Sequence, residues 1–552
     1  MIAMCFPASG EEQEGMQVET LPKADDAIPS RVAALDAPAT MDFPGGIRMA
    51  VSTSSKLAQK HVLQGLNHLH GGWELEATRH FAAAMREDPD CLLAHWGMAM
   101  ALLDTSPENA KPRKIVVDRL IHLLDAGQGT ELEQGYAYGL LKYLGEGADA
   151  AANAYRKVAK RFPNDMQAAI FSALFNRGGY DISGSATPDQ LASEQQLLEL
   201  IEKHPESPIP LNALLTIRAE APKLAESLPM ARKLAKQWPS YPPAFHLLGH
   251  YEWRSGNHAR AAAAFGRASM LYQRWMKQNG LGVADCPEWA SAESYRVIAL
   301  LSMGDLETAH AAALQLAATP LPDDRLASPG AKVLLWDAKT LPARILIHRG
   351  LEEGFVEAAK ALPSVDTIKP SMKHSVAYLW IDGLRLALEA QKLIDQGDIA
   401  RALALVTALD LHMKKFSTTE HTALVLGERS EWLRARRALR ILISDVRGRI
   451  AMAGAENMRA TAFNWFTSGA DFQRHESMLH PPMLLTPMSA RLGDHFLVMG
   501  DPQKAIEHYQ QALEMFPKDI GSLQGLKKAH LAAGNQEEAA AVDASIQELQ
   551  RR

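Results

Sequence analysis

A glycine, two alanines, an aromatic ring and a proline recur at fixed offsets along this chain, most completely between residues 486 and 519. There Leu492-Gly493 is followed by Phe496, Gly500, Ala505, Tyr509, Ala512 and Pro517. Each position has a mechanical role. Small side chains at Gly493, Ala505 and Ala512 let two antiparallel helices approach closely, Phe496 and Tyr509 fill the space between them, and Pro517 stops the second helix. Such a unit cannot bury its apolar face alone, so copies must stack.

The same offsets return at Gly65, Ala77, Phe81, Ala84 and Pro89, at Gly139, Ala151, Tyr155 and Pro163, and at Leu248-Gly249, Gly256, Ala261, Phe265 and Ala268. Weaker copies keep the turn and the next small residue: Gly304-Asp305 with Ala309, and Gly397-Asp398 with Ala402. Leu523, Leu526, Gly534-Asn535 and Ala539 form a last unit, ending in a charged helix suited to cap the stack. Between the first two matches, Ala94 to Leu103 reads as a helix without a good partner. Clusters of Pro and Gly at 104–113, 176–190, 205–222, 319–342 and 363–373 read as loops. No sustained β-type alternation competes. The expectation is an all-α, right-handed α-solenoid of helix pairs, with a change of curvature near 320–345.

Charge and proline divide off the start. Residues 1–50 hold eight Asp/Glu against three Lys/Arg, and Pro7, Pro22, Pro29, Pro38 and Pro44 interrupt any helical period, so this stretch reads as a disordered acidic arm. The remainder divides into N-terminal repeats (51–175), central repeats with loop insertions (176–345), degenerate repeats (346–480) and a C-terminal pair with its cap (481–552). The arm carries five of the six net negative charges, which leaves the body nearly neutral and argues against nucleic acid as a partner. Cys5, Cys91 and Cys286 are too far apart for a disulfide framework or a thiolate metal site, and fit a reducing compartment or a core role. No apolar run reaches the length of a transmembrane helix, and the start lacks an export signal, so the sequence as written reads as cytoplasmic unless a signal precedes it.

With Ser489 in place of the usual Trp, the 486–519 unit resembles a tetratricopeptide repeat. Longer stretches resemble a group of long bacterial tetratricopeptide-repeat proteins of mostly unassigned function. Gln64-Gly65-Leu66, Ala77, Arg79-His80-Phe81, Asp88-Pro89-Asp90-Cys91 and Trp96-Gly97 with Ala99 are similar to that group's N-terminal signature. Pro481-Pro482, Pro487, Leu492-Gly493 and the stretch from Leu523 to Leu526 are similar to its C-terminal end. The resemblance implies a fold more than an activity. It also implies a histidine motif in mid-solenoid, matched here by His246 and His250, whereas the preceding segment, Leu211 to Glu220, lacks the His often found there in the group. On the same resemblance, Pro243, His246, His250, Trp253 and Arg254 face the inner groove, and equivalent positions put Trp96, Tyr136 and Tyr143 on inner faces.

His246 and His250 are four residues apart, so their rings share a helix face, a spacing that can hold a divalent metal ion. The alternative is a pair of partly buried histidines bonded to neighbouring helices. The aromatic positions likewise divide between a peptide-binding lining and packing between helices. His475-Glu476 with His480 is no zincin motif: five residues place the two rings about 140° apart, where the metal needs four. Arg429, Arg434, Arg436, Arg437 and Arg440 read as a solvated helix face with internal ion pairs. No phosphate-binding loop, dinucleotide fingerprint or nucleophile elbow occurs. The leading expectation is a non-enzymatic scaffold, without cofactor, that binds a protein or peptide in its groove. The competing one is a metal-binding protein centred on His246 and His250.

Overall fold

In the computed structural model of the chain, residues 22–103, 107–181, 184–221, 224–322, 325–326, 328–349, 354–363, 375–422, 428–473 and 482–550 are described. A short helix, α1 (Ser30–Ala33), precedes the repeats. Pairs then follow in chain order: α2 (Lys56–His70) with α3 (Glu74–Glu87), α4 (Leu92–Ala101) with α5 (Pro107–Asp125), α6 (Glu131–Glu146) with α7 (Ala148–Arg161), and α8 (Met166–Asn176) with α9 (Pro188–Lys203). Next come α10 (Pro208–Ile217) with α11 (Ser227–Gln237), α12 (Pro242–Arg254) with α13 (His258–Asn279), and α14 (Pro287–Ser302) with α15 (Leu306–Ala317). The less regular stretch has α16 (Pro329–Trp336), α17 (Leu341–Arg349) and α18 (Phe355–Ala361). Pairing resumes with α19 (Ala377–Asp395) and α20 (Ile399–Thr418), α21 (Arg429–Met452) and α22 (Glu456–Gln473), α23 (Met488–Val498) and α24 (Pro502–Met515), and α25 (Ile520–Ala532) and α26 (Gln536–Gln550). No strand occurs among the described residues, only an isolated bridge between Tyr180 and Ala186. The fold is an all-helical solenoid.

Its register is set by aromatic rings seated on glycines. A Cβ at Gly65 would lie 2.7 Å from the Phe81 ring, and one at Gly97, on the next pair, 2.2 Å from the same ring. Tyr509 is held likewise between Gly493 and Gly525, at 2.7 and 2.2 Å. One ring on the second helix of a pair thus fills the space left by two glycines on successive first helices, which fixes both the packing within a pair and the stacking between pairs. Gly139 under Tyr155 and Gly249 under Phe265 repeat the contact within a pair. Ala505 is fully buried at the same tight contact, whereas Ser489 is partly exposed. Ala505→Leu is therefore expected to cost about 1–3 kcal/mol by overpacking, and Ser489→Ala far less; thermal melts of the two variants check the register.

Three segments expected to be loops carry helices. The proline-rich stretches contribute α5, α10 and α16, with Pro208 and Pro329 in the first turns of α10 and α16. At that position proline's missing N–H costs nothing and its fixed φ favours the helix, so these prolines start helices rather than interrupt them. As a result Ala94–Leu103 does have a partner, α5.

The first six pairs close on themselves. Trp73, at the start of α3, packs on Trp275 of α13 with ring centroids 4.9 Å apart, and Trp275 Nε1 donates to Glu76 Oε1 at 2.7 Å. Arg79 Nη1 reaches Asn279 Oδ1 at 3.0 Å, and Asn212 Nδ2 of α10 donates to the His70 carbonyl at 2.7 Å. The C-terminal repeats fold back on the middle of the chain. His258 Nε2 donates to the Pro517 carbonyl at 2.7 Å, Ile520 presses on Gly304, and the buried Arg344 donates to the Pro482 and Met483 carbonyls at 2.7 Å each.

Residues 22–50 correct the expectation of a disordered arm over 1–50, of which 1–21 lie outside the described residues. Ala27, Ile28, Val32, Phe43 and Ile47 are buried in the body, and Arg119 Nη1 donates to the Pro22 carbonyl at 2.7 Å. Beyond α1 the backbone is extended and crosses the starts of successive helices in reverse chain order. Phe43 lies against Tyr241 before α12, and Gly45 beside Glu206 and Pro208 at α10. Met49 follows at Gln167 of α8, Ser52 at Glu133 of α6 and Thr53 at Asp88 before α4. This strap ties five pairs together. Charge and proline count missed it because its apolar anchors are sparse and each meets a different helix.

Candidate functional site

His246 and His250 stand one turn apart on α12, ring centroids 5.0 Å from each other. Both are half-buried. His250 meets the Tyr295 ring of α14 edge-on at 4.2 Å and Phe265 of α13 at 5.3 Å, and His246 meets the same two rings. Phe265 and Tyr295 stack at 5.0 Å behind them. Trp253, also half-buried, donates from Nε1 to Ser302 Oγ at 3.0 Å. These three side chains form a continuous, part-exposed face on α12.

Arg254 does not belong to it. Its guanidinium is buried and donates to the Ala219 and Ala221 carbonyls, with burial pushing its pKa down to about 10. It staples the end of α12 to the segment after α10. Trp96 and Tyr136 are likewise fully buried rather than on a groove wall. Trp96 packs on Tyr136 and Phe171 at 5.2 and 5.4 Å and donates to Tyr155 Oη at 3.3 Å, while Tyr136 Oη donates to Asp165 Oδ2 at 2.6 Å. These two rings pack between consecutive pairs. Tyr143 is half-buried against Phe175 at 4.9 Å.

A second feature with recognition chemistry was not legible in advance. Gln64 Nε2 donates to the Met41 carbonyl at 2.8 Å while its Oε1 accepts from the Met41 N–H at 2.9 Å. Asn67 pairs with Ile47 in the same way, accepting at 2.7 Å and donating at 3.4 Å. A carboxamide matches both the donor and the acceptor of one residue of extended backbone, so α2 holds the strap through its main chain. Phe43 then enters a pocket of Trp238, Tyr241 and His68, whose ring centroids lie 5.6, 5.5 and 5.0 Å away.

Among the described residues the group of three donors close enough to share a metal ion is His68, Glu76 and His80, and it does not include His246 or His250. The His475, Glu476 and His480 positions lie outside the described residues. Of the arginines on α21, Arg429 and Arg436 pair with Glu420 and lie over the Trp432 ring at 5.3 Å each. Cys91 and Cys286 are buried, and burial pushes the Cys91 thiol up to about 12, which fits a core role. No described helix is long and apolar enough to cross a membrane.

Helix pairs registered by a ring between two glycines define a helical-repeat scaffold. Residues 497–551 match the tetratricopeptide repeat family. The glycine-and-ring packing recurs along the chain from Gly65 to Gly525. None of the curated proteins compared with it matches. Similar solved structures include the tetratricopeptide domain of P58(IPK), at 15% identity over 86% of this chain and 98% of that one with a TM-score of 0.20. Yeast Tom70 is similar at 13% identity over 90% of this chain and 93% of that one, with a TM-score of 0.25.

Proposed function

We propose that this protein is a non-enzymatic interaction scaffold that holds an extended segment of a partner protein against the face formed by His246, His250 and Trp253, with Tyr143 contributing on the earlier repeats. The observation that carries the reading is the strap. An extended stretch of this same chain is held by carboxamides paired to its backbone and by a ring pocket for Phe43, and a partner segment needs the same two kinds of contact. The α12 face offers ring edges, imidazole nitrogens and an indole at partial exposure, the composition that gives contact area at small entropic cost.

The test is affinity capture with the full-length protein followed by mass spectrometry. Trp253→Ala and His250→Ala are expected to weaken capture of a specific protein by about 30-fold or more, the effect of losing about 2 kcal/mol at a central aromatic contact, while circular dichroism stays unchanged. Capture that is indifferent to both substitutions in folded protein overturns the reading.

A further inference from the structure

We propose that His68, His80 and Glu76 form a buried binding site for a divalent transition-metal ion of the zinc class, inside the ring closed by α2, α3, α12 and α13. One donor atom from each of the three lies within 4.8 Å of the others. Both histidines are fully buried and Glu76 is 2% exposed. Neither ring nitrogen of His68 has a hydrogen-bond partner, nor does His80 Nε2. Buried polar atoms are nearly always satisfied, and an unpartnered nitrogen on each of two rings beside one carboxylate calls for a shared ligand. Two imidazole nitrogens and a carboxylate oxygen are a donor set that zinc accepts.

The surroundings already orient the donors. His80 Nδ1 lies 3.0 Å from His61 Nδ1, so a proton shared there leaves the His80 Nε2 lone pair directed elsewhere. This is the outer hydrogen bond that metal-binding histidines use. Both hydrogen bonds of Glu76, from Arg79 and Trp275, fall on Oε1, which leaves Oε2 for a ligand. The strap seals the chamber, since Phe43 meets the His68 ring edge-on at 5.0 Å.

The site as it stands is wider than a filled one. Zinc takes nitrogen and oxygen donors at about 2.0–2.2 Å, and the His68 and His80 rings are 5.2 Å apart and only 13° from parallel. Filling it draws the three donors together and turns the rings until their lone pairs converge.

The experiment uses the full-length protein produced in zinc-supplemented medium, with elemental analysis, and cobalt(II) as the spectroscopic probe. The expected result is about one metal ion per chain, retained through gel filtration, with the intense visible absorption of cobalt in a low-coordinate nitrogen and oxygen site. Glu76→Gln, which keeps the acceptor for Arg79 and Trp275, and His80→Gln are expected to lose the ion. His61→Ala is expected to keep it with affinity about 10–100-fold weaker. The His246→Ala, His250→Ala double variant is expected to retain it in full. Wild-type protein that stays metal-free and gives cobalt only its weak aqueous spectrum overturns the proposal, whether or not the variants fold. So does an ion that survives Glu76→Gln and His80→Gln but leaves with His246 and His250.

Discussion

A chain that begins at Ser52 is expected to melt more than about 10 °C below the full-length protein, taking about 2–4 °C per kcal/mol for a cooperative unit of 150–250 residues. Ile28, Val32, Phe43, Ile47 and Val51 are all buried against the repeats, each contributing about 1.5–3 kcal/mol of apolar burial. Ordering the strap offsets part of that sum. Removal nevertheless also bares Trp238, Tyr241 and His68 and leaves the carboxamides of Gln64 and Asn67 without the backbone they match. Phe43→Ala isolates the largest single contribution and is expected to cost about 3–5 kcal/mol. Calorimetry on both proteins is the measurement. A truncated chain that melts with the full-length one would mean the strap is dispensable, as charge and proline content alone suggest.

What the sequence revealed and what it hid follow from the range of each interaction. Gly65 with Phe81, Gly139 with Tyr155, Gly249 with Phe265 and Gly493 with Tyr509 are each sixteen residues apart, because helix, turn and helix fix that separation locally. Gly448 and Phe466 make the same contact eighteen residues apart, on the longer α21 and α22, and so escaped a search at constant offset. The resemblance to the repeat placed Trp96 and Tyr136 on inner faces, but whether such a face stays open depends on contacts such as Trp73 with Trp275, some 200 residues apart. Arg254 was misplaced for the same reason: its partners are carbonyls beyond α10. His68 and His80 lie on consecutive helices, and only the turn at Gly71-Gly72 brings their rings together. Recognition by the strap was hidden because Gln64 and Asn67 carry no motif; their meaning comes from the backbone they face.

Acid is expected to destabilise this protein from a pH at which most carboxylates are still ionised. His70, His95 and His258 are buried, and burial pushes each pKa down to about 4, against about 6.5 for an exposed histidine. Arg119 Nε donates to His95 Nε2 at 3.0 Å while the other nitrogen donates to the Cys91 carbonyl at 3.0 Å, so the native site has no place for a second proton. Because the folded pKa values lie below the unfolded one, the unfolded chain binds more protons between pH 6.5 and 4, and stability falls throughout that window as pH falls. Above pH 6.5 these groups cost nothing further. Glu288 works in the opposite sense: burial raises its pKa to about 7, so it takes up a proton in the folded state first and stabilises it on acidification. Among these four groups, three histidines against one glutamate leave a net two protons, a contribution of about 3 kcal/mol lost per pH unit at about 1.4 kcal/mol per proton. Against a total stability of about 5–15 kcal/mol, that slope removes about 4 kcal/mol between pH 6.5 and 5. Urea melts between pH 7.5 and 5 measure the slope, and His258→Gln, which removes one titrating group, is expected to reduce it by about half of the net value, since one of two net protons is lost. A stability that stays flat from pH 7.5 to 5.5 would show that these imidazoles reach solvent.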